Sequence, residues 1–258
     1  MFHCLIFSKN RAAQLHLFLD SIIQNAPIFE SIDVIYKADK LFNPAYDMLK
    51  IEFPHVNWIE EKDFRSDTIS CLKGKFILPT VDDSIFYQKF DKNIIVKALE
   101  ENFTFVLGVG LNTTFHWLGQ WNIKMPHFIE KEGYLSWDWK ELKQPSEFNC
   151  PFMITSNIYK TEEFKKYVEL INFGSPNTLE QQLQINFKNV GNMCCFKESV
   201  LVNMPINRVQ NEANNLFGLS HGYDEIILNK RYIDRKRIKL NQIDFSNIIG
   251  MHQEFQIY

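Results

Sequence analysis

Two adjacent carboxylates are the residues whose chemistry is easiest to name from the sequence. Asp82 and Asp83 directly follow the apolar run Phe76–Val81. Like charges this close raise each other's pKa, and a divalent cation removes the conflict. Carboxylate oxygens suit Mg²⁺ or Mn²⁺, which complete an octahedron with water and phosphate oxygens. A helix N-cap is the alternative, because Asp is a leading N-cap residue.

A second polar cluster, Ser8-Lys9-Asn10-Arg11, follows the short apolar run at residues 2–8. Lys9 and Arg11 lie between this run and a helical pattern, where a helix N-terminus would help them to hold phosphates. Solvated basic residues in a loop are the alternative interpretation. Taken together, the two clusters are consistent with a site in which a metal and basic side chains hold a diphosphate.

The elements that position these clusters alternate along the first 83 residues. Hydrophobic periodicity predicts strands at 2–8, 32–36, 57–60 and 76–81, with helices along 15–23, 42–49 and 64–72. Such alternation indicates a parallel sheet with helices on both faces, because the crossover between parallel strands needs a helix. Ligands in these sheets lie beyond the carboxyl ends of the strands, which is where both polar clusters fall.

The second half of the chain is less regular. We predict helices at 94–101, 159–171 and 178–187, and strands at 104–108, 193–196 and 200–203. An aromatic segment at 119–151 has no sustained period, and a polar tail follows the last strand. Since no repeat, linker or boundary is evident, we predict one domain over residues 1–258, with functional halves at 1–108 and 109–258.

Composition excludes several classes of protein. With 258 residues and 45% hydrophobic content, the chain can bury one substantial core. A net charge of -3 excludes the overall positive field typical of nucleic-acid binders. Five scattered cysteines read as reduced thiols of a cytosolic protein. We find neither a signal peptide nor a run of ~20 apolar residues, and therefore expect a cytoplasmic protein.

Several motifs resemble the bacterial glycosyltransferases of the GT-A fold, in a poorly characterised, family-2-like branch. The opening of these enzymes is similar to Phe7-Ser8-Lys9-Asn10-Arg11 followed by Gln14-Leu15. Their metal-binding carboxylate motif resembles Val81-Asp82-Asp83-Ser84-Ile85-Phe86, although Ser84 fills the third acidic position. The segments 205–210 and 252–254 also look like elements of this branch. The resemblance implies a GT-A-like, Rossmann-like fold with a mostly parallel central sheet and an irregular acceptor-binding second half.

The resemblance also implies a set of donor-binding residues. Ser8, Lys9 and Arg11 would hold the nucleotide of a UDP- or GDP-sugar, with Arg208 adding positive charge. Asp82 would contact the ribose or a metal-bound water.

The same family pattern makes Asp83 the direct ligand of Mn²⁺ or Mg²⁺. His252 would complete the metal shell, as a late histidine does in several such enzymes. Without the resemblance, a lone histidine is a core or surface residue.

Acceptor-side roles follow from the same resemblance. Trp137 and Trp139 lie where these enzymes place a flexible sugar-binding loop, although two core indoles are the alternative. An inverting enzyme needs a carboxylate base, and we favour Glu180 over Asp138. A favourable charge at a helix N-terminus would equally explain Glu180. Retaining transfer would remove the need for a base.

We therefore expect a metal-dependent glycosyltransferase that uses a nucleotide sugar and acts in bacterial surface-glycan assembly. Its acceptor would be a glycan or a lipid-linked molecule, and we expect no nucleic-acid partner. The basic stretch at 230–239 is a solvated face or a peripheral contact with the inner face of an anionic membrane. A nucleotidyltransferase on a related sheet is one alternative. A catalytically silent glycan- or nucleotide-binding protein is another, suggested by the short Asp82-Asp83-Ser84 motif.

Overall fold

The computed structural model describes residues 1–209, 216–220 and 222–257. Its strands are β1 (Phe2–Lys9), β2 (Phe29–Lys37), β3 (Asn57–Glu60), β4 (Phe76–Val81), β5 (Ser84–Phe86), β6 (Thr104–Val106), β7 (Phe115–His116), β8 (Trp121–Asn122), β9 (Ile129–Lys131), β10 (Tyr134–Trp137), β11 (Asn157–Lys160), β12 (Met193–Cys195) and β13 (Leu201–Asn203). Its α-helices are α1 (Ala12–Asn25), α2 (Asn43–Glu52), α3 (Phe64–Ser70), α4 (Lys92–Glu101), α5 (Thr161–Val168), α6 (Pro176–Asn186) and α7 (Glu225–Ile233). Short 3₁₀ turns lie at Trp139–Glu141, Glu147–Asn149 and Leu240–Gln242.

A nine-stranded sheet in the order β3-β2-β1-β4-β11-β6-β12-β10-β9 forms the centre of the molecule. The four strands β3, β2, β1 and β4 are parallel neighbours. In the described sheet, β11 and β10 run against the direction of the other seven strands. The predicted α/β class with a mostly parallel sheet is confirmed, as is the predicted order of elements in the first 83 residues.

The central strand β1 is buried on both faces, and its side chains alternate between two cores. Cys4 and Ile6 pack in the core that includes the α1 stripe. Leu5 and Phe7 pack in the core that includes α5 and α6. Covering both faces explains why the run reads as continuously apolar in the sequence.

The helix α7 was not predicted, since its residues read as part of a polar tail. Asp224 caps its start, accepting the backbone N–H groups of Ile226 at 2.8 Å and Ile227 at 2.9 Å. Its buried side consists of Leu228, Asn229 and Tyr232. So narrow a buried stripe produces little hydrophobic periodicity, and the sequence therefore does not predict this helix.

A two-stranded antiparallel ribbon of β5 and β13 lies directly after the Asp82-Asp83 turn. Asn203, at the end of β13, donates its backbone N–H to Met251 at 2.7 Å and accepts that of Gln253 at 2.9 Å. The ribbon therefore brings the segment around His252 to the carboxylate turn. In the parts of the chain that the structure describes, no helix combines the length and apolarity needed to cross a membrane.

Candidate functional site

The two polar clusters meet at the carboxyl ends of β1 and β4. Phe7 and Val81 are register partners at the ends of these neighbouring strands, so the residues that follow them lie side by side. Ser8 donates its hydroxyl to Asp82 Oδ2 at 2.8 Å, and the backbone N–H of Lys9 lies 3.2 Å from the same oxygen. The arrangement places a buried carboxylate against the first loop, at the edge where parallel sheets bind ligands.

Arg11 links the two carboxylates. Its Nη1 lies 3.2 Å from Asp82 Oδ1 and 3.1 Å from Asp83 Oδ2, and its Nη2 donates to the backbone carbonyl of Asn207. Burial lowers the pKa of Arg11, but the charges of Asp82 and then Asp83 outweigh burial and raise the pKa. The like-charge conflict that suggested a metal is thus compensated by a guanidinium. The N-cap alternative is wrong, because a turn into β5 follows Asp83.

The backbone conformation of the turn before α1 places Arg11 beside the two carboxylates. Asn10 has φ +56°, in the left-handed region that Asn tolerates better than most residues. Its amide donates to Asp39 Oδ2 at 2.7 Å and accepts the backbone N–H of Asp39 at 2.9 Å. These bonds hold the turn between β1 and α1, from which Arg11 reaches back over the carboxylates.

Asp82 is 3% exposed, and both of its oxygens have partners. Burial raises its pKa to about 6, with the charge of Arg11 lowering it and that of Asp83 raising it. Tyr46 supports this centre: its hydroxyl lies 2.5 Å from that of Ser8 and accepts the Arg11 backbone N–H at 3.2 Å. The sequence predicts Tyr46 as part of an apolar helical stripe. It does not predict the contacts of the Tyr46 hydroxyl, because hydrophobic periodicity carries no information about hydrogen bonds.

Asn203 connects this centre with His252. Its amide donates to Asp83 Oδ1 at 3.2 Å and to Ser84 Oγ at 3.0 Å, while its backbone is bridged to His252. The structure thus brings the two predicted metal ligands to neighbouring segments.

These residues do not form a preformed metal site. Asp83 is engaged by Arg11 and Asn203, and His252 directs its Nδ1 toward Glu147. Throughout residues 1–209, 216–220 and 222–257, no group of three or more His, Cys, Asp and Glu side chains could hold a metal ion. The donor set therefore does not fit a cation without further ligands or a shift of Arg11.

A buried carboxylate between two histidines is the main feature that sequence reasoning missed. Glu147 is 3% exposed; its Oε1 lies 2.9 Å from His116 Nδ1 and 3.7 Å from His252 Nδ1. Burial raises the pKa of Glu147, but the adjacent His116 and His252 lower it to about 2. Its position in an aperiodic segment, far in sequence from both histidines, gave no signal.

Glu180, the favoured base, lies in the first turns of α6. Its Oε2 accepts the backbone N–H of Ile154 at 2.7 Å. Burial raises the pKa of Glu180 and outweighs the opposing effects of Ile154 and of His252. Among these opposing effects is the charge of His252, the histidine that also faces Glu147.

Asp138, the second candidate base, has a local structural role. Its Oδ1 accepts the backbone N–H of Lys140 at 3.0 Å and caps the short turn that begins at Trp139.

The two predicted sugar platforms are held within the protein. Trp137 is 0% exposed, donates its Nε1–H to the Phe148 carbonyl at 2.7 Å and packs edge-on against Phe128. The sugar-stacking prediction is therefore wrong for Trp137, because the ring is part of the core. Trp139 is half-buried and donates to the Gly191 carbonyl at 3.1 Å. Trp121 is the more exposed indole, at 36%.

The segment that begins at Pro205 contacts the site through Asn207. Its side-chain oxygen accepts from Gln14 at 3.0 Å, and its carbonyl accepts from Arg11. Arg208 is half-buried, with its guanidinium 5.4 Å from the Phe217 ring centroid. Gln210, the last residue of this motif, lies outside the described residues.

No family model matches the sequence. A bifunctional glycosyltransferase, pgtA of Dictyostelium discoideum, is 22% identical over 224 residues, covering 77% of this chain and 29% of the relative. The chain therefore spans less than a third of the length of this curated relative.

Among solved structures, residues 1–349 of S. aureus TarS in complex with UDP have a TM-score of 0.51 at 11% identity, covering 78% of this chain and 60% of that one. A putative glucose-1-phosphate thymidylyltransferase from Bacillus anthracis, in complex with a sucrose, has a TM-score of 0.43 at 11% identity and covers 92% of this chain and 96% of that one. The likeness to TarS is one of fold. The predicted GT-A-like α/β fold is confirmed.

Proposed function

We propose that this chain is a glycosyltransferase that moves a sugar from a nucleoside-diphosphate sugar to a hydroxyl acceptor. The observation that carries the proposal is the Arg11, Asp82 and Asp83 cluster at the carboxyl ends of two adjacent parallel strands. The similarity to pgtA supports the reaction class, and the fold shared with a UDP-bound protein supports the choice of donor.

Donor binding would use the first loop and the start of α1. Lys9 is exposed at this edge, and the first turn of α1 contains no acidic residue. A helix N-terminus and nearby cations attract a diphosphate. Because Asp82 is buried with both oxygens bonded, we propose that it acts by holding Arg11 rather than by contacting the ribose.

The acceptor side would centre on Glu180 and the Glu147 centre. A general base takes the proton of the attacking hydroxyl as the new bond forms, and burial, by raising the pKa of Glu180, makes it a stronger base than an exposed carboxylate. Glu147 would hold His116 and His252 so that their remaining ring nitrogens can hydrogen-bond sugar hydroxyls. An inverting outcome follows if Glu180 acts in this way.

Metal dependence remains a prediction. If Arg11 shifted away from Asp83 and further ligands were supplied, Asp83 and His252 could hold a divalent cation, which would supply positive charge near the leaving diphosphate. Because Arg11 already compensates the carboxylates, turnover without added metal is the competing expectation.

Calorimetry and product analysis test the proposed function. The chain is titrated with UDP and GDP, and then incubated with their sugar conjugates and a panel of methyl glycosides, with and without Mn²⁺. Binding of a nucleoside diphosphate and formation of a longer glycoside are the expected results. Failure to bind either nucleotide would refute the proposal.

The second candidate is a catalytically silent nucleotide- or glycan-binding protein. The ion pairs that Arg11 makes with both carboxylates favour it, since they occupy the predicted metal ligand. Nucleotide binding without release of nucleoside diphosphate would support this candidate. Release of pyrophosphate from a nucleoside triphosphate and a sugar phosphate would instead identify a nucleotidyltransferase.

The biological setting is also proposed. We infer a role in bacterial surface-glycan assembly in the cytoplasm, on a glycan or lipid-linked acceptor. A lipid-linked acceptor would be met at a membrane surface, and α7 has the side chains for such a contact.

A further inference from the structure

The exposed side of α7 is unusually apolar for a surface helix. Ile226 is 51% exposed, Ile227 is 56% exposed and Ile233 is 37% exposed. Lys230 is exposed and, at the helical spacing of i, i+4 and i+7, lies on the same side as Ile226 and Ile233. We refer to Ile226, Ile227, Lys230 and Ile233 as the α7 face.

Basic side chains extend the α7 face at its carboxyl end. Arg235, Lys236 and Lys239 are exposed just beyond the helix. Arg237 is bound to Glu52 and lies against the ring of Tyr232, so it belongs to the packing of the helix. Of the acidic residues, Asp224 and Glu225 lie at the opposite end, while Asp234 lies at the edge of the face.

The packing of α7 leaves this side open. The helix is anchored by Leu228 and Tyr232 in the core that also contains the α1 stripe. Asn229 donates to the Leu41 carbonyl at 3.1 Å, and Leu41 is itself 54% exposed. A helix that lies in the interface of an anionic bilayer presents the same combination of exposed apolar and basic side chains. Its apolar side chains enter the headgroup boundary, and its lysines and arginines contact the lipid phosphates.

We propose that the α7 face, with its basic flank, docks the protein on an anionic lipid surface. The proposal rests on the proposed function only in one respect, namely that a lipid-linked acceptor would lie at the same membrane surface. The charge and the apolar area point to the same occupant, whereas a solvated basic face would not carry three exposed isoleucines.

Vesicle sedimentation tests the proposal. The full chain is mixed with phosphatidylcholine vesicles, with and without about a quarter phosphatidylglycerol, at low and high salt. We expect binding to the anionic vesicles that weakens at high salt. The double variant Ile226→Asn/Ile227→Asn and the double variant Lys230→Glu/Lys236→Glu should each lower vesicle affinity about tenfold or more.

A matched control is available on α5, which packs in the core of the other sheet face. Leu170 is 74% exposed just beyond that helix, and Lys166 is exposed on it. Leu170→Asn and Lys166→Glu should bind vesicles as the unaltered chain does. Absent binding, equal binding to neutral vesicles, or variants of the α7 face that bind normally would overturn the proposal.

Two further measurements separate the alternatives. If the unaltered chain dimerises in light scattering and the isoleucine variant does not, the α7 face is a contact between copies and the lipid proposal is wrong. UDP titration of the same variants should be unchanged, because the α7 face contains no donor-site residue. If the unaltered chain does not bind UDP, the proposed function is refuted. The vesicle measurements then still decide whether the α7 face binds lipid.

Discussion

The Asp82 carboxylate and the Arg11 guanidinium form an ion pair in the interior, with Nη1 of Arg11 3.2 Å from Oδ1 of Asp82. Arg11 keeps 12% of its side chain exposed and Asp82 only 4%. A buried pair of this kind adds little net stability, but removing one partner leaves an uncompensated charge. The pair therefore makes folding depend on a residue that the proposed function also needs for the diphosphate.

Replacing Arg11 by Met should destabilise the fold. Asp82 would keep its buried carboxylate without the guanidinium, which typically costs about 3–5 kcal/mol. The free energy of unfolding in urea measures the effect. Lys9→Met, at an exposed neighbouring position, is the control and should change stability by less than about 0.5 kcal/mol. Equal stability of the two variants would contradict the assigned pairing.

Glu147 should stabilise the fold in a pH-dependent way. Its pKa is lowered from 4.5 to about 2 in the folded state, so its contribution is present above pH 4.5 and is lost as the pH falls toward 2. This difference corresponds to about 3 kcal/mol. The stability gap between the unaltered chain and Glu147→Gln, measured in urea, should shrink as the pH falls from about 6 to about 3. A gap that stays constant would show that the two histidines do not hold an ionised Glu147.

Glu180→Gln should abolish turnover and leave UDP binding intact. The amide oxygen can still accept the Ile154 N–H, so the fold is expected to persist, while the group can no longer take a proton. Asp138→Asn is the matched control, since Asn also caps the turn, and should retain activity. If Asp138→Asn is the inactive variant, the assignment of the base is wrong.

If Asp83 holds a metal during the reaction, Asp83→Ala should remove turnover with little change in fold. Its side chain is 17% exposed, and Arg11 keeps Asp82 as a partner after the substitution. Nucleoside diphosphate release is followed with Mn²⁺, with Mg²⁺ and with a chelator. If metal acts here, the chelator reproduces the loss in the unaltered chain. Full activity of Asp83→Ala would exclude Asp83 as a metal ligand.

The two tryptophans of the aromatic segment should respond differently. Trp137→Ala should lower the free energy of unfolding by about 3–5 kcal/mol, because a fully buried indole leaves a cavity. Trp121→Ala, at a 36% exposed ring beside His116, should cost much less. Thermal unfolding of both variants tests the contrast. A Trp121 variant as unstable as the Trp137 variant would mean that Trp121 is also core.

The parallel half of the fold was predictable because its signals are local. The strands β1 and β4 are mainly apolar runs, and the helices α1 and α2 each have an apolar stripe. Sheet topology then dictates that Ser8 and Asp82 lie at the same edge, since β1 and β4 are parallel neighbours. The meeting of the two polar clusters also depends on the strand order, which the structure shows and the sequence does not.

The acceptor side was less predictable because its contacts are distant in sequence. Glu147 meets His116 and His252 across segments with no regular period. On the donor side, the Tyr46 hydroxyl was missed for a different reason, since a hydrophobic pattern does not show what a phenol contacts. Trp137 illustrates the opposite error, since a resemblance to sugar-binding loops outweighed the general tendency of indoles to be buried.

The position of β6 affects how the chain can be divided. This strand belongs to residues 1–108, yet in the sheet it lies between β11 and β12, both from residues 109–258. Separate expression of the two halves would leave β6 with two bare edges and would remove both sheet neighbours of β11, which invites aggregation. Co-expressed fragments would have to interleave their strands to restore the sheet. Assays of donor and acceptor binding therefore need point variants of the intact chain, and not isolated halves.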